Sequence, residues 1–201
     1  HLRTDQVDVI AMGRGGAAEA RLEDYVVSGL VDFDDVSYDS HADLLYDLAS
    51  NQIVPAPVEG GGQVFQPYPF WVRAQASAGS VITDGIGEVF LPWTSTIETT
   101  EATGATVTPL LLSSRLASVA EGDIDLTPTR SFPPLDVRPR VLAVQVTPDS
   151  ASGLGRLVLV GNMEFATDRY LGNAPENATF ALNAVDWLAQ DEALISIRSR
   201  D

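Results

Sequence analysis

The segment from Arg156 to Arg198 constrains the fold more than any other part of the 201-residue chain. It begins with an apolar run at 157–160 that stops at Gly161-Asn162, and a polar loop follows this turn. A helical pattern extends from about 177 to 190, and a second short apolar run closes the segment at 193–197. Strand, loop, helix and strand in this order are the unit from which layered α/β domains are built.

Three near-continuous apolar runs, at 7–12, 140–146 and 156–161, indicate strands that are buried on both faces. Such strands are typical of mostly parallel sheets, and a segment of good helix formers at 17–27 follows the first of them. The sequence therefore predicts a single layered α/β domain over 1–201, doubly wound or flavodoxin-like, with a mostly parallel sheet and long loops.

A stretch rich in proline, glycine and aromatic residues at 54–79 is predicted to be a loop region within this domain. Its prolines prevent helix, because proline lacks the backbone N–H and clashes with the preceding turn. Its aromatic side chains are expected either to anchor the loop in the core or to form the wall of a binding groove. They are Phe65, Tyr68, Phe70 and Trp71.

One face of the final helical segment is predicted to be buried. Its apolar side chains recur at helical spacing and are Phe180, Ala184, Trp187 and Leu188, with Leu182, Val185 and Ala189 widening the face. Asn177 is the expected N-cap of this helix. Asn173 with Glu176 offers a second capping start, which puts Pro175 in the first turn.

The composition argues against several classes of function. A net charge of −16 disfavours nucleic-acid partners, because a phosphate-binding surface needs a basic stripe. All 12 basic residues are arginine, which is typical of a high-GC genome or of salt adaptation. The absence of cysteine excludes disulfides and thiolate sites. No apolar run reaches the roughly 20 residues that span a bilayer, and the missing first Met suggests a fragment of a longer protein.

No catalytic residue, metal site or cofactor site is predicted from motifs. The sequence has no Gly-x-Ser-x-Gly elbow, and His41 lies in an acidic stretch, so a Ser-His-Asp triad is disfavoured. The glycines at 13–16 do not match a phosphate loop. The aspartates at 32–35 lack the glycine and glutamate of a calcium loop. The paired carboxylates of a glycoside-acting enzyme stay open, because acidic residues are abundant.

Two stretches, GNMEFATDRYL and NATFALNAVDWLAQDEALISIR, resemble the C-terminal motif of the GldG-like auxiliary family of gliding-motility ABC transporters. The residues that match this motif are Gly161, Asn162, Phe165, Asn177, Asn183, Ala184, Trp187, Leu188 and 194–198. Upstream, GGGQVFQPYPFWVRA, ITDGIGEVFLPWTSTI and VTPLLLSSRLAS are similar to further segments of the family. The resemblance covers about 43–198, and the first forty residues match less clearly.

The resemblance implies a flavodoxin-like or glutamine-amidotransferase-like α/β domain that lacks the amidotransferase nucleophile. It also implies a position outside the cytoplasm, on a protein anchored to the inner membrane by a helix that follows the Ile-Ser-Ile-Arg end. The implied partners are an ABC permease and an ATPase. The family supplies no catalytic residues.

The leading hypothesis is a non-enzymatic extracytoplasmic domain that binds or scaffolds within an ABC-type transport or gliding-motility complex. Its candidate site for a small molecule or saccharide comprises Tyr68, Trp71, Asn162, Glu164 and Asn183. For Asn183, a structural bond to a neighbouring loop backbone is the alternative. Two other functions are considered: a degenerate amidotransferase-like or glycoside-acting hydrolase, and a structural interaction domain with an exposed apolar patch on the last helix.

Overall fold

The computed structural model describes residues 10–14, 44–57, 60–98, 104–121, 124–149 and 156–189. Its strands are β1 Ile10–Arg14, β2 Leu44–Asp47, β3 Asn51–Pro57, β4 Gln63–Ala76, β5 Glu88–Pro92, β6 Ala105–Leu112, β7 Ala117–Ala120, β8 Val141–Pro148 and β9 Arg156–Val160. The helices are α1 Asp168–Leu171 and α2 Pro175–Leu188, and short 3-10 turns occur at Val81–Thr83 and Glu164–Ala166. The predicted helix at 17–27, the acidic stretch with His41, and the strand at 193–197 lie outside the described residues.

Seven of the described strands form one sheet in the order β1-β9-β8-β6-β4-β3, with β5 paired to β4. Every strand pairing in this sheet is antiparallel. The strands β2 and β7 form a separate antiparallel pair. The described part of the chain is therefore a mostly antiparallel β structure that α2 covers on one side.

The predicted flavodoxin-like or amidotransferase-like α/β fold with a mostly parallel sheet is wrong. The apolar runs do form buried strands: Leu159 and Val160 are adjacent in β9 and both are fully buried, so both faces of this strand are covered. Double-faced burial is typical of parallel sheets but does not fix strand direction. The connection between β8 and β9 does fix it, because the residues 149–155 are too few for the crossover of a dozen or more that parallel neighbours need.

The region 54–79, predicted to be a loop, forms most of two strands instead. The hairpin of β3 and the first half of β4, here called the β3–β4 ribbon, pairs Pro55 with Phe65 and Ile53 with Pro67. In an antiparallel ladder, alternate residues direct their N–H groups away from the partner strand. Proline has no backbone N–H. At a position of an edge strand whose N–H would point away from the partner, it therefore removes no hydrogen bond between the strands. The prolines therefore exclude helix, as predicted, but permit an edge ribbon.

The larger core cluster packs the sheet against α2. Phe180, Ala184, Trp187 and Leu188 are buried in it, which confirms the predicted helix face. The predicted widening of this face is wrong, because Leu182 and Val185 are exposed. A second cluster contains Tyr68 and Phe70, so these two aromatics are core anchors, whereas Phe65 on the ribbon is 76% exposed.

Within the described ranges, neither helix is long and apolar enough to cross a membrane.

Candidate ligand-binding cleft

A cleft of about 430 Å³ lies on the face of β4 and β5 that points away from the core. Strand alternation builds it. Val72 and Ala74 of β4 and Val89 and Leu91 of β5 are fully buried in the core cluster. The residues between them face outward and line the cleft, and they are Trp71, Arg73, Glu88 and Phe90. The cleft volume falls within the range of roughly 300–1,000 Å³ that is common for small-molecule sites.

Asn177, in the first turn of α2, fixes the helix beside this cleft. Its side chain is fully buried. Its Oδ1 accepts a hydrogen bond from the Phe90 backbone N–H at 2.8 Å, and its Nδ2 donates to the Phe90 carbonyl at 2.8 Å and to the Phe165 carbonyl at 3.0 Å. The amide thus pairs with the open edge of β5 as a backbone peptide group of another strand would.

The predicted N-cap role of Asn177 is therefore wrong. The N-cap of α2 is Ala174, which offers no side-chain oxygen to the first-turn N–H groups, and Pro175 occupies the first turn. That position of Pro175 agrees with the second capping start considered from the sequence. Tertiary pairing outweighs capping here, because Asn177 satisfies two polar groups of the β5 edge and one of the 3-10 turn after β9.

An ionic contact forms the floor of the cleft. Arg73 pairs with Glu88, and the Arg73 Nε also donates to Gln52 Oε1 at 2.9 Å. Both charged side chains are partly exposed, so the pair contributes little to the free energy of folding. Its consequence is geometric: the Arg73 guanidinium and the Glu88 carboxylate neutralise each other and hold each other in place.

Aromatic rings form the apolar wall. The ring of Trp71 contacts those of Phe90, Trp93 and Tyr170 at centroid distances of 5.6, 5.5 and 6.2 Å. The three pairs are close to perpendicular, which is the favoured edge-to-face arrangement of aromatic rings. The wall is therefore a continuous cluster of rings, and Trp71 is its central ring.

Two polar atoms of this wall are buried without a hydrogen-bond partner in the described part of the chain. They are Trp71 Nε1 and the Tyr170 hydroxyl, and both residues line the cleft. Burial also raises the pKa of Tyr170, so its hydroxyl stays protonated and is able to donate. The neighbouring pair differs, because Trp93 Nε1 donates to the Tyr68 hydroxyl at 3.1 Å and Tyr68 donates to the Leu126 carbonyl at 2.6 Å.

Arg169 supplies a positive charge at the rim of the cleft. Its guanidinium carbon lies 5.2 Å from the centre of the Tyr170 ring and 6.0 Å from that of Trp93. Among the described residues it forms no ion pair. Cation–π contact with two rings holds the side chain without neutralising its charge.

The five predicted site residues do not come together, and only Trp71 lines the cleft. Asn162 is buried, where its Nδ2 donates to the Pro92 carbonyl and its Oδ1 accepts from the Phe165 N–H at 2.7 Å. Asn183 is buried and donates to the Ile82 carbonyl at 3.1 Å, as its structural alternative predicted. Tyr68 is a core anchor, and Glu164 begins a half-buried 3-10 turn. The ligand role of these residues stays a prediction.

The Gly161-Asn162 turn is occupied by protein backbone. A Cβ atom on Gly161 would lie 2.4 Å from the Ser95 carbonyl oxygen, and Ser95 N donates to the Gly161 carbonyl at 2.8 Å. The turn at the end of β9 is therefore a close crossing of two chain segments. The cleft lies elsewhere, beside β4 and β5 and the first turn of α2.

Ser114, which follows β6, has a structural partner. Its hydroxyl donates to Asp47 Oδ1 at 2.6 Å, and its backbone N–H donates to Asp47 Oδ2 at 2.7 Å. The N–H groups of Ala49 and Ser50 also donate to Asp47. Asp47 is fully buried, and this carboxylate ties the turn after β2 to the end of β6. Within the described residues, no cluster of three or more His, Cys, Asp or Glu could hold a metal ion.

Sequence reasoning missed most of the cleft because the stretch that supplies Trp71 and Arg73 was read as a loop. A signal was present: Phe70, Val72 and Ala74 alternate with Trp71, Arg73 and Gln75, which is the period of a half-buried strand. Arg169 and Tyr170 carry no comparable signal, because a four-residue helix brings them to the cleft.

A family model described as "ABC-type uncharacterized transport system" matches residues 36–185 of the chain. This range includes every residue that lines the cleft. Comparison with curated proteins and with solved structures gives no match.

Proposed function

The chain belongs to the family of auxiliary components of ABC-type transport systems, and from this premise we propose that it is a non-enzymatic binding module whose cleft holds a small polar ligand. The single observation that carries the proposal is the pair of unpartnered polar atoms in the cleft wall, Trp71 Nε1 and the Tyr170 hydroxyl. A buried polar group without a partner costs about 1–3 kcal/mol. A ligand that shifts the two rings enough to reach both groups, and accepts a hydrogen bond from each, recovers that cost.

The other groups of the cleft also favour binding over bond-breaking chemistry. Rings supply an apolar wall, and Asn173 and Gln52 supply amides. The two carboxylates are Glu88 and Glu176, and Glu88 is already engaged by Arg73.

The proposal also includes a location and partners. We place the domain on the extracytoplasmic side of the inner membrane, where it contacts the ABC permease of its own system and, through it, the ATPase. The sequence resemblance described above supports both points.

The ligand-binding part is tested through the indole N–H signals of the three tryptophans in a ¹H–¹⁵N spectrum. The protein is titrated to millimolar concentration with glucose, N-acetylglucosamine and glucuronate, and the Trp71 signal is assigned with Trp71→Phe. We expect at least one sugar to move the Trp71 signal saturably. Trp187 is the internal control, because this residue of α2 packs in the core cluster and does not line the cleft. If every sugar leaves the Trp71 signal in place, the proposed ligand site is wrong.

Scaffolding is the second candidate function, and the exposed face of the β3–β4 ribbon favours it. Ile53 is 60% exposed and Phe65 76% exposed, and both are paired across the ribbon with prolines. Clustered exposed apolar side chains are characteristic of protein contact surfaces. We expect full-length protein to co-purify with its permease from membranes, and Ile53→Ser with Phe65→Ser to abolish this. Val81→Ser, which alters an exposed valine elsewhere, is the control. Equal recovery of the permease with the double variant and with the Val81 variant would exclude the ribbon as the contact surface.

A further inference from the structure

We infer that the ligand of this cleft is an acidic sugar, whose carboxylate is held by Arg169 and whose ring lies against the aromatic wall. The inference rests on the proposed binding function and adds the chemical class of the ligand. It follows from four features of the cleft: an unneutralised guanidinium, two unpartnered donors, the exposed start of α2, and a lining that both donates and accepts hydrogen bonds.

The first feature is the charge of Arg169. The chain carries 28 acidic and 12 basic residues, yet the Arg169 guanidinium has no carboxylate partner in the described part of the chain. Its position over the Tyr170 ring keeps it at the cleft. A planar guanidinium binds a carboxylate through two parallel hydrogen bonds. A carboxylate is therefore the ligand group that Arg169 is best suited to bind.

The second feature is the pair of orphan donors. The Trp71 indole N–H can only donate, so the group that satisfies it must be an acceptor. The Tyr170 residue is 6% exposed, and its hydroxyl also lacks a partner in the described ranges. Both residues line the cleft with Arg169, whose guanidinium lies over the same Tyr170 ring. Acceptor atoms of a carboxylated ring would meet donors from these three side chains.

The third feature is the N-terminal turn of α2, a helix of 14 residues. Ala174, Glu176 and Asn177 of this turn line the cleft, and no side chain caps its first N–H groups. The positive end of the helix dipole therefore faces the cleft and favours a negative group on the ligand. This feature acts in the same direction as Arg169 but is independent of it.

The fourth feature distinguishes a sugar from a bare anion. Once Arg73 and Glu88 have neutralised each other, the remaining polar lining contains the Asn173 amide and the Glu176 carboxylate as well as Arg169. Glu176 would repel a compact anion such as phosphate, but it accepts hydrogen bonds from hydroxyl groups. Hydroxyl groups both donate and accept. A hydroxylated ring that bears one carboxylate therefore matches the whole lining, and its C–H face matches the rings of Trp71 and Phe90.

The test extends the indole titration with three matched probes: glucuronate, glucose and acetate. They separate the carboxylated ring from the ring alone and from the carboxylate alone. We expect glucuronate to bind at least about tenfold more tightly than glucose, as a single charge-assisted hydrogen-bonded contact implies. We expect acetate to leave the Trp71 signal almost unmoved. Added salt should weaken glucuronate binding and leave glucose binding unchanged.

Two arginine variants make the test specific. Arg169→Gln should remove the preference for glucuronate over glucose, and Arg115→Gln should preserve it, because Arg115 is exposed and does not line the cleft. Equal binding of glucose and glucuronate, or acetate as effective as glucuronate, overturns the inference and leaves the proposed ligand site intact. A Trp71 signal that no sugar moves overturns both.

Discussion

Replacement of Asn177 by alanine should destabilise the protein by about 3 kcal/mol, because three hydrogen bonds of this buried amide are lost. Each hydrogen bond of this kind contributes about 1 kcal/mol net to stability. The loss is larger where the group left behind stays buried and finds no other hydrogen-bond partner. The groups left behind are the Phe90 N–H, the Phe90 carbonyl and the Phe165 carbonyl. The loss is large beside the roughly 5–15 kcal/mol of a typical domain.

The loss is measured by urea unfolding, followed by tryptophan fluorescence and far-ultraviolet circular dichroism and extrapolated linearly to water. Asn177→Asp tests the two donated bonds separately. It keeps an acceptor for the Phe90 N–H but places an oxygen against the carbonyls of Phe90 and Phe165. It should cost at least as much as alanine. Asn173→Ala is the matched control, because Asn173 is exposed beside the same cleft, and it should change stability by less than about 0.5 kcal/mol.

A loss below about 1 kcal/mol for Asn177→Ala would refute the reasoning. It would mean that Asn177 does not pair with the edge of β5, and that the helix α2 is positioned by its apolar face alone.

Two further predictions concern single groups. Gly161→Ala should destabilise the protein by about 1–3 kcal/mol, because its Cβ would collide with backbone at Ser95, whereas Gly172→Ala meets open space and should be neutral in the same urea assay. Burial raises the pKa of Tyr68, so the folded state retains that proton after the unfolded state has lost it. Stability should therefore fall as the pH rises above about 10. Tyr68→Phe should make that fall shallower, and an unchanged slope would contradict the assignment.

Local patterns predicted where several elements lie. The strand expected at 156–161 forms β9, the strand at 140–146 falls largely within β8, and the buried helix face at Phe180, Ala184, Trp187 and Leu188 is correct. These predictions depend on the period of apolar residues, which reflects which side of an element is buried. The period carries no information on the neighbour of a strand or its direction, and the parallel sheet was inferred from burial alone.

Only one of the five predicted site residues lines the candidate cleft. Trp71 was identified as a possible wall residue, but Asn162, Asn183 and Tyr68 proved to bond to protein groups. An amide or phenol has the same appearance in a sequence whether a backbone carbonyl or a ligand satisfies it. Only the positions of neighbouring segments distinguish the two, as when the loop at Ile82 meets Asn183 across 101 residues of sequence.

The sequence by itself determined the composition limits, the apolar face of α2, the positions of several strands and, through its motifs, membership of a transport-system family that the family match supports. The tertiary structure decided the antiparallel order of the strands and the place of the cleft. The physical reason is the distance along the chain over which each is decided. Periodicity and turn chemistry depend on residues close in sequence, whereas strand pairs and cleft walls are formed by segments far apart in sequence. The cleft unites Trp71 of β4, Phe90 of β5 and Tyr170 of α1, and no local pattern in the chain links them.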